Sequence, residues 1–276
     1  MATGPGPGGC VVTTPDGGPR PTVPGPVLFA RYAYPPNELG YCGPADAGEL
    51  LEASAARDVA ALSHLATRFD GAWPYLELIA GANGIADPLD TRVVEAYWVG
   101  NDLLDHVGSR LFATAVDARF AGRAGPSVDA IAGAASLGGV AHHSFHVFAV
   151  SPWVGMLRAG RTVAPLEVLD RCRVRWGVVE GVDGDEVSVR SRGLAFDGTR
   201  LTLGVPRPEV ARRSSEGVGG LPDLRPGDVV SLHWDWVCDR LSPGALARLQ
   251  VATVRNLAVV NSQSRPGPAV AADAWG

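Results

Sequence analysis

The sequence contains no lysine, and all 24 basic residues among its 276 are arginine. This absence excludes a Schiff-base lysine and the lysine of a P-loop. The formal net charge of −5 also gives no electrostatic basis for binding nucleic acid, whose phosphates attract positively charged surfaces. We therefore expect neither lysine chemistry nor a nucleic-acid partner.

Long apolar runs are missing as well. No stretch of 18 uncharged apolar residues occurs, and residues 1–26 lack the basic region and apolar core of a signal peptide. Residues 1–26 are instead rich in proline and glycine, which predicts a disordered tail, and residues 263–276 predict a second one. We expect a cytoplasmic protein with no membrane partner.

Cysteine is scarce, and the four that occur (Cys10, Cys42, Cys172 and Cys238) form no CxxC pair. A structural zinc site is therefore not predicted. In a reducing compartment we expect free thiols or metal ligands rather than disulfides. The Walker, GxSxG and HExxH motifs are also missing, so the common nucleotide-dependent and hydrolytic mechanisms lack support.

The first half of the chain has apolar residues at helical spacing, which predicts a mostly helical domain of unknown role over residues 27–165. Asp46, with Glu49 three residues later, has the pattern of a helix N-cap. The predicted helices cover residues 46–69, 72–81, 87–107, 109–120 and 127–136.

After about residue 145 the apolar period changes to two, which is typical of strands. Tight turns are predicted at 182–187 and 196–201, a surface loop at 212–228, and a closing helix at 241–261 capped by Ser242. The predicted strands cover 145–153, 173–182, 186–196, 199–206 and 228–241. The fold class is therefore α+β: a mostly helical domain, then a small OB-like β-barrel with a C-terminal helix over residues 166–262.

Two short motifs occur in the predicted barrel. RCRVRWGVVEG, residues 171–181, is a strand-like run that opens with Cys172, five residues before a Gly-Val-Val-Glu run. LRPGDVVSLHWDW contains Gly227, Asp228 and His233 shortly before the last helix. The two motifs, in this order, resemble those of the HypC/HupF family of nickel–iron hydrogenase maturation chaperones. The resemblance covers roughly residues 170–260. The chain departs from that family because its cysteine is internal, Trp176 replaces a proline, and the loop at 207–222 is longer.

The resemblance implies a metallochaperone. Cys172 and His233 would hold an iron atom with cyanide and carbonyl ligands, delivered to a hydrogenase large-subunit precursor with the help of other maturation proteins. Thiolate and imidazole are suitable ligands for such an iron. We expect Arg171, Arg173 and Arg175 to favour the thiolate and to attract an anionic iron complex.

A second group of candidate ligands lies in the helical half. Cys42 directly precedes a predicted helix start, where the helix dipole would stabilise a thiolate. His142, His143 and His146 form a dense cluster: in a helix His142 and His146 could share a metal, whereas in a strand they would lie opposite His143. The alternative function is a metal- or haem-dependent enzyme using Cys42 and these histidines. A third possibility is a structural interaction protein without a metal.

Overall fold

The computed structural model describes residues 23–120, 126–213, 221 and 223–263. Helices make up the described chain as far as Cys172. They are α1 (Gly25–Glu38), α2 (Ala47–Ala56), α3 (Val59–Ala66), α4 (Trp73–Ala82), α5 (Thr91–Trp98), a 3-10 helix (Asp102–His106), α6 (Ser109–Arg119), α7 (Pro126–Ser136), α8 (His143–Phe145) with a π-helical turn (His146–Val150), α9 (Trp153–Arg158) and α10 (Val163–Cys172).

The strands follow and close into a ring. They are β1 (Arg175–Asp183), β2 (Glu186–Phe196), β3 (Leu201–Arg212), β4 (Val229–His233) and β5 (Trp236–Arg240), followed by α11 (Pro243–Ser262). Their order around the ring is β1-β2-β3-β5-β4, and β4 pairs back onto β1. The mixed α+β class, a five-stranded sheet after the helices and the C-terminal helix are thereby confirmed, and the predicted strand 228–241 divides into β4 and β5.

Local sequence signals place several element ends correctly. The predicted turns join β1 to β2, where Asp183 pairs with Glu186, and β2 to β3, where Phe196 pairs with Leu201. Ser242 caps α11 by accepting a hydrogen bond from the Ala245 amide at 3.2 Å. These features depend on a few neighbouring residues, so the sequence is sufficient to predict them.

Two predicted helices are interrupted. The segment 46–69 forms α2 and α3, because Arg57 adopts a left-handed φ of 52° and Asp58 starts a new helix by capping the Ala60 and Ala61 amides. The segment 87–107 divides into α5 and the 3-10 helix at Gly100, whose φ is 97°. A left-handed residue ends an α-helix, and glycine adopts it without steric cost.

Two predicted strand segments are wrong. Residues 145–153 are helical, because their apolar run is packed on several sides by α7, α9 and α11, and such a run does not distinguish a buried helix from a strand. Cys172 ends α10 instead of opening a strand, and β1 begins only at Arg175. Helix α10 buries Pro165, Val168 and Leu169 at helical spacing, which accounts for its extension to the cysteine.

The helices and the ring share a hydrophobic core. Tyr32 of α1 is fully buried, stacks on Trp98 at 5.4 Å between ring centroids, and contacts the Ser231 hydroxyl of β4 at 2.8 Å.

Two predicted boundaries differ from the structure. Helix α10 crosses the predicted domain boundary at residue 165, and α1 begins at Gly25, inside the predicted tail. Residues 1–22 and 264–276, and residues 214–220 and 222 of the predicted 212–228 loop, lie outside the described residues. Within the described residues, no helix is both long enough and apolar enough to cross a membrane.

Candidate metal centre

Three side chains from different elements converge where the helices meet the ring. His143 begins α8, Cys172 ends α10 and His233 ends β4. One ligand atom from each lies within 4.8 Å of the other two. His233 is fully buried, His143 is 5% exposed, and Cys172 is half-buried as a residue.

His233 is held in the orientation that a metal ligand needs. Its Nδ1 atom lies 2.6 Å from the backbone carbonyl oxygen of Tyr32. A carbonyl only accepts, so Nδ1 carries the hydrogen and Nε2 keeps its lone pair. Nε2 is buried and has no partner that meets hydrogen-bond geometry among the described residues, although the nearby Cys172 carbonyl influences the pKa of His233. Metal-binding histidines commonly hold one ring nitrogen in this way and leave the other for the metal.

The acceptor for His233 is available because of a proline. In an α-helix the carbonyl of Tyr32 would bond to the amide of the residue four positions later, which is Pro36. Proline has no amide hydrogen, so this carbonyl has no helical partner although it lies inside α1. His233 supplies the missing donor from the neighbouring strand.

His143 is held from both sides. Its Nε2 atom lies 2.8 Å from the Cys172 carbonyl oxygen, and its Nδ1 atom lies 3.1 Å from the Tyr97 hydroxyl. The carbonyl accepts, so Nε2 carries the hydrogen and Nδ1 accepts from Tyr97. The Cys172 carbonyl is available because the last carbonyls of a helix have no intrahelical partner.

The Cys172 thiol does not have the lowered pKa expected from its arginine neighbours. Burial raises its pKa to about 12, and the Trp234 side chain opposes that shift only in part. Its position at the C-terminal end of α10 also disfavours a thiolate, because that end of the helix dipole is negative. The thiol is therefore protonated at neutral pH.

The three arginines are engaged elsewhere. Arg171 pairs with Glu167 and Asp235. Arg173 pairs with Asp170 at 3.0 Å, and Arg175 pairs with Glu209 at 3.0 Å. Opposite charges compensate these guanidinium groups, so the expectation that they favour the Cys172 thiolate is wrong.

The imidazoles are neutral. Burial lowers the pKa of His143 to about 4 and holds that of His233 well below its ordinary value, to which His143 and Arg175 also contribute. Neutral imidazoles and a thiol that loses its proton to a bound cation are the forms that metal binding requires. The residues present therefore fit a transition metal.

The other predicted histidines lie outside this group. His142 caps α8, since its Nδ1 atom accepts from the Ser144 amide at 3.0 Å. His146 packs edge-on against Tyr75 and lies against Gly71, where an added Cβ would be 3.2 Å from Nε2. Of the three clustered histidines, only His143 therefore faces Cys172 and His233.

Cys42 is close to the centre but is not one of the three ligands. The helix predicted after Cys42 begins at Ala47 under the Asp46 cap, so Cys42 precedes the cap and is not in the first turn. Burial raises the pKa of the Cys42 thiol, and the neighbouring Cys172 raises it further, so the predicted stabilised thiolate is not observed. Cys238 is buried in β5, and Cys10 lies outside the described residues.

Aromatic rings enclose the centre. The Trp98 ring lies 4.5 Å from the His143 ring and 5.4 Å from the His233 ring, between centroids. On the Cys172 side, Trp234 has a left-handed φ of 51°, and the half-exposed Tyr41 covers it at 4.4 Å between ring centroids. The Trp98 ring therefore packs beside both imidazoles, and the Trp234 and Tyr41 rings pack on the sulfur side.

Sequence reasoning found Cys172 and His233 together but assigned His143 to a different site. It missed Tyr97, Trp234 and the Tyr32 carbonyl. The consecutive prolines 35 and 36 of α1 are a signal for a free carbonyl in that helix, if the helix is recognised. No pattern in the sequence connects Tyr97 to His143.

The chain matches the profile of DUF6390, a family of unknown function, over residues 21–266, and it belongs to that family. No curated protein and no solved structure matches the chain significantly.

Proposed function

For this member of a family without an assigned function, we propose a role as an accessory protein in nickel–iron hydrogenase assembly that carries an iron unit on Cys172 and His233. The observation that supports this is the meeting of the two side chains, from α10 and β4, with ligand atoms within 4.8 Å. They are the pair that the HypC/HupF resemblance implies. The five-stranded ring followed by α11 is also compatible with a small HypC-like barrel.

The chemistry of the pair suits an iron that carries strong acceptor ligands. A thiolate donates electron density to such an iron, and imidazole is a common iron ligand. The buried Arg175 also lowers the pKa of His233, although Glu209 pairs with its charge at 3.0 Å.

The exposure of the ligands also suits a cargo. Cys172 is half-buried while His233 is fully buried, so a partner would approach the iron from the sulfur side, past Tyr41 and Trp234. The partner would be a hydrogenase large-subunit precursor or another maturation protein. Release would require both bonds to the protein to be replaced: a recipient thiolate would take the place of the Cys172 thiolate, and a second recipient ligand would take the place of His233, with no change in oxidation state.

The test is anaerobic co-expression with the proteins that make the iron–cyanide unit, followed by infrared spectroscopy of the purified protein. We expect cyanide and carbonyl bands in the wild-type protein, their loss in Cys172→Ser and His233→Gln, and their retention in the control Cys238→Ser. We also expect the loaded protein to capture the large-subunit precursor. A folded wild-type protein that contains iron without either band would contradict the proposal.

A second candidate, a metal-dependent enzyme, is favoured by the burial of both imidazoles, which suits a resident metal better than a cargo. Its site would be His143, Cys172 and His233 rather than the predicted set of Cys42 with His142, His143 and His146. The same purification distinguishes the two. A resident metal would persist through dialysis against a chelator and would not pass to a large-subunit precursor.

A further inference from the structure

We propose that His143 is a third protein ligand of this metal centre and that Tyr97 is its positioning residue; this inference rests on the proposed function. It gives the helical region a role, because His143 and Tyr97 come from α8 and α5 whereas His233 comes from the ring. Metal binding would then connect the helical region to the ring.

Contacts of the α8 backbone with other elements fix the position of His143. Its ligand atom lies within 4.8 Å of those of Cys172 and His233. Asn256 of α11 holds the start of α8 by donating to the Ser144 hydroxyl at 2.8 Å and by accepting from the Val140 amide at 2.9 Å. The imidazole is therefore fixed through its backbone as well as through its ring.

The second observation is the unpartnered nitrogen of His233. Its Nε2 atom is buried and keeps a lone pair, and His233 belongs to the same group of converging ligands as His143 and Cys172. A buried acceptor without a donor is costly, and a cation shared with Cys172 and His143 would remove that cost. The Tyr32 carbonyl holds His233 ready for this role, as Tyr97 holds His143.

His143 reaches its ligand form by a change of tautomer. The hydrogen leaves Nε2, and a hydrogen binds at Nδ1, so the imidazole gains and loses no net proton. Nε2 then gives up its hydrogen bond to the Cys172 carbonyl and offers its lone pair to the cation, and Nδ1 donates to the Tyr97 oxygen. A hydroxyl both donates and accepts, so Tyr97 serves either tautomer, whereas phenylalanine would serve neither.

One sulfur and two imidazole nitrogens define the class of metal. They suit iron, cobalt, nickel or zinc and not magnesium or calcium, which require oxygen ligands. Three protein ligands also leave a coordination position for a ligand that the protein does not supply. That open position is what an iron carrying small ligands needs.

The experiment is an anaerobic titration with cobalt(II), monitored by its visible spectrum. The sulfur-to-cobalt charge-transfer band reports Cys172, and the d–d bands report the number of ligands. We expect His143→Gln to keep the charge-transfer band, to change the d–d bands and to bind cobalt at least about 10-fold more weakly. Tyr97→Phe should weaken binding and shift the same d–d bands. The control His142→Asn keeps an N-cap side chain and should behave like the wild type.

The outcomes separate this inference from the proposed function. Unchanged affinity and d–d bands in His143→Gln, with the charge-transfer band lost in Cys172→Ser, would overturn the His143 assignment and leave the Cys172–His233 pair standing. A wild-type protein that shows no charge-transfer band would overturn both.

A measurement on the wild-type protein covers the case in which His143→Gln does not fold. Zinc is added to protein with 15N-labelled histidine, and the ring nitrogen signals of its six histidines are followed by NMR. Two imidazoles should change on zinc binding, as expected for His143 and His233. A change in only one would overturn the inference.

Discussion

The His233 Nδ1 atom donates to the backbone carbonyl of Tyr32, 2.6 Å away and 201 positions earlier in the chain. The bond exists because Pro36 leaves that carbonyl without a helical donor. A break in the hydrogen bonding of one helix thus orients a candidate metal ligand on a strand of the ring.

The first prediction concerns that proline. Pro36→Ala would supply an amide that competes for the Tyr32 carbonyl, so His233 should lose part of its orientation. A hydrogen bond of about 1 kcal/mol corresponds to a roughly fivefold loss of cobalt affinity. The melting temperature should not fall, because alanine is the better helix former.

The matched control is Pro35→Ala, which supplies an amide to the carbonyl of Arg31 instead and so leaves the His233 acceptor alone. Equal cobalt affinities for both variants would show that the Tyr32 carbonyl does not orient His233.

The second prediction concerns acid sensitivity. Burial lowers the pKa of His142 to about 3, against 6.5 for an unfolded histidine. The unfolded state therefore binds one more proton between these values, and the stability from this group, complete above pH 6.5, falls as the pH falls. From pH 7.5 to 5.5 the loss is about 1.4 kcal/mol.

Urea unfolding of the wild type and of His142→Asn at both pH values measures this loss. The variant should be less sensitive to pH by about 1.4 kcal/mol, since asparagine keeps the N-cap but does not titrate. The same pH dependence in both proteins would be evidence against a buried neutral His142.

The third prediction concerns the ion pairs that support the end of α10. Asp170 is 5% exposed and accepts from Arg173, from Arg207 at 2.8 Å and from the Leu194 amide at 2.9 Å. Asp170→Asn leaves the buried Arg173 without its charge partner and should cost about 3–5 kcal/mol of unfolding free energy.

Glu180→Gln is the comparison for this variant, because it removes the partner of Arg190 in an exposed pair and should cost about 1 kcal/mol or less. Denaturant unfolding measures both. A cost for Asp170→Asn no larger than that of Glu180→Gln would mean that the buried charge is compensated in another way.

The fourth prediction concerns access to Cys172. Tyr41 is 44% exposed and its ring covers Trp234, which in turn contacts Cys172. Tyr41→Ala should uncover this approach and increase the rate of Cys172 alkylation several-fold. Peptide mass spectrometry at short reaction times identifies the modified cysteine.

Leu39→Ala provides the control for alkylation. It removes a large exposed side chain near Tyr41 in sequence, and Leu39 is 51% exposed, but it leaves the Tyr41–Trp234 ring contact in place. If both variants react at the wild-type rate, the path to Cys172 does not pass under Tyr41.

Part of the fold follows from the sequence alone. The caps at Asp46 and Ser242 and the turns at 182–187 and 196–201 each depend on a few adjacent residues, so local rules are sufficient. The helical residues 145–150 are predicted as a strand because they are apolar and buried, a pattern that strands share. For Cys172, the charged neighbours predicted a stabilised thiolate, whereas burial dominates.

The α+β class follows from the residue pattern, and the resemblance points to Cys172 and His233. The position of His143 beside them, the contact of Tyr97 with its ring and the orientation of His233 by the Tyr32 carbonyl are visible only in the folded chain. The difference lies in how far apart in the chain the interacting residues are. Turns and caps arise from neighbouring residues, while a ligand group requires packing between helices and strands that are far apart in the chain, and no periodic pattern records which side chains that packing brings together.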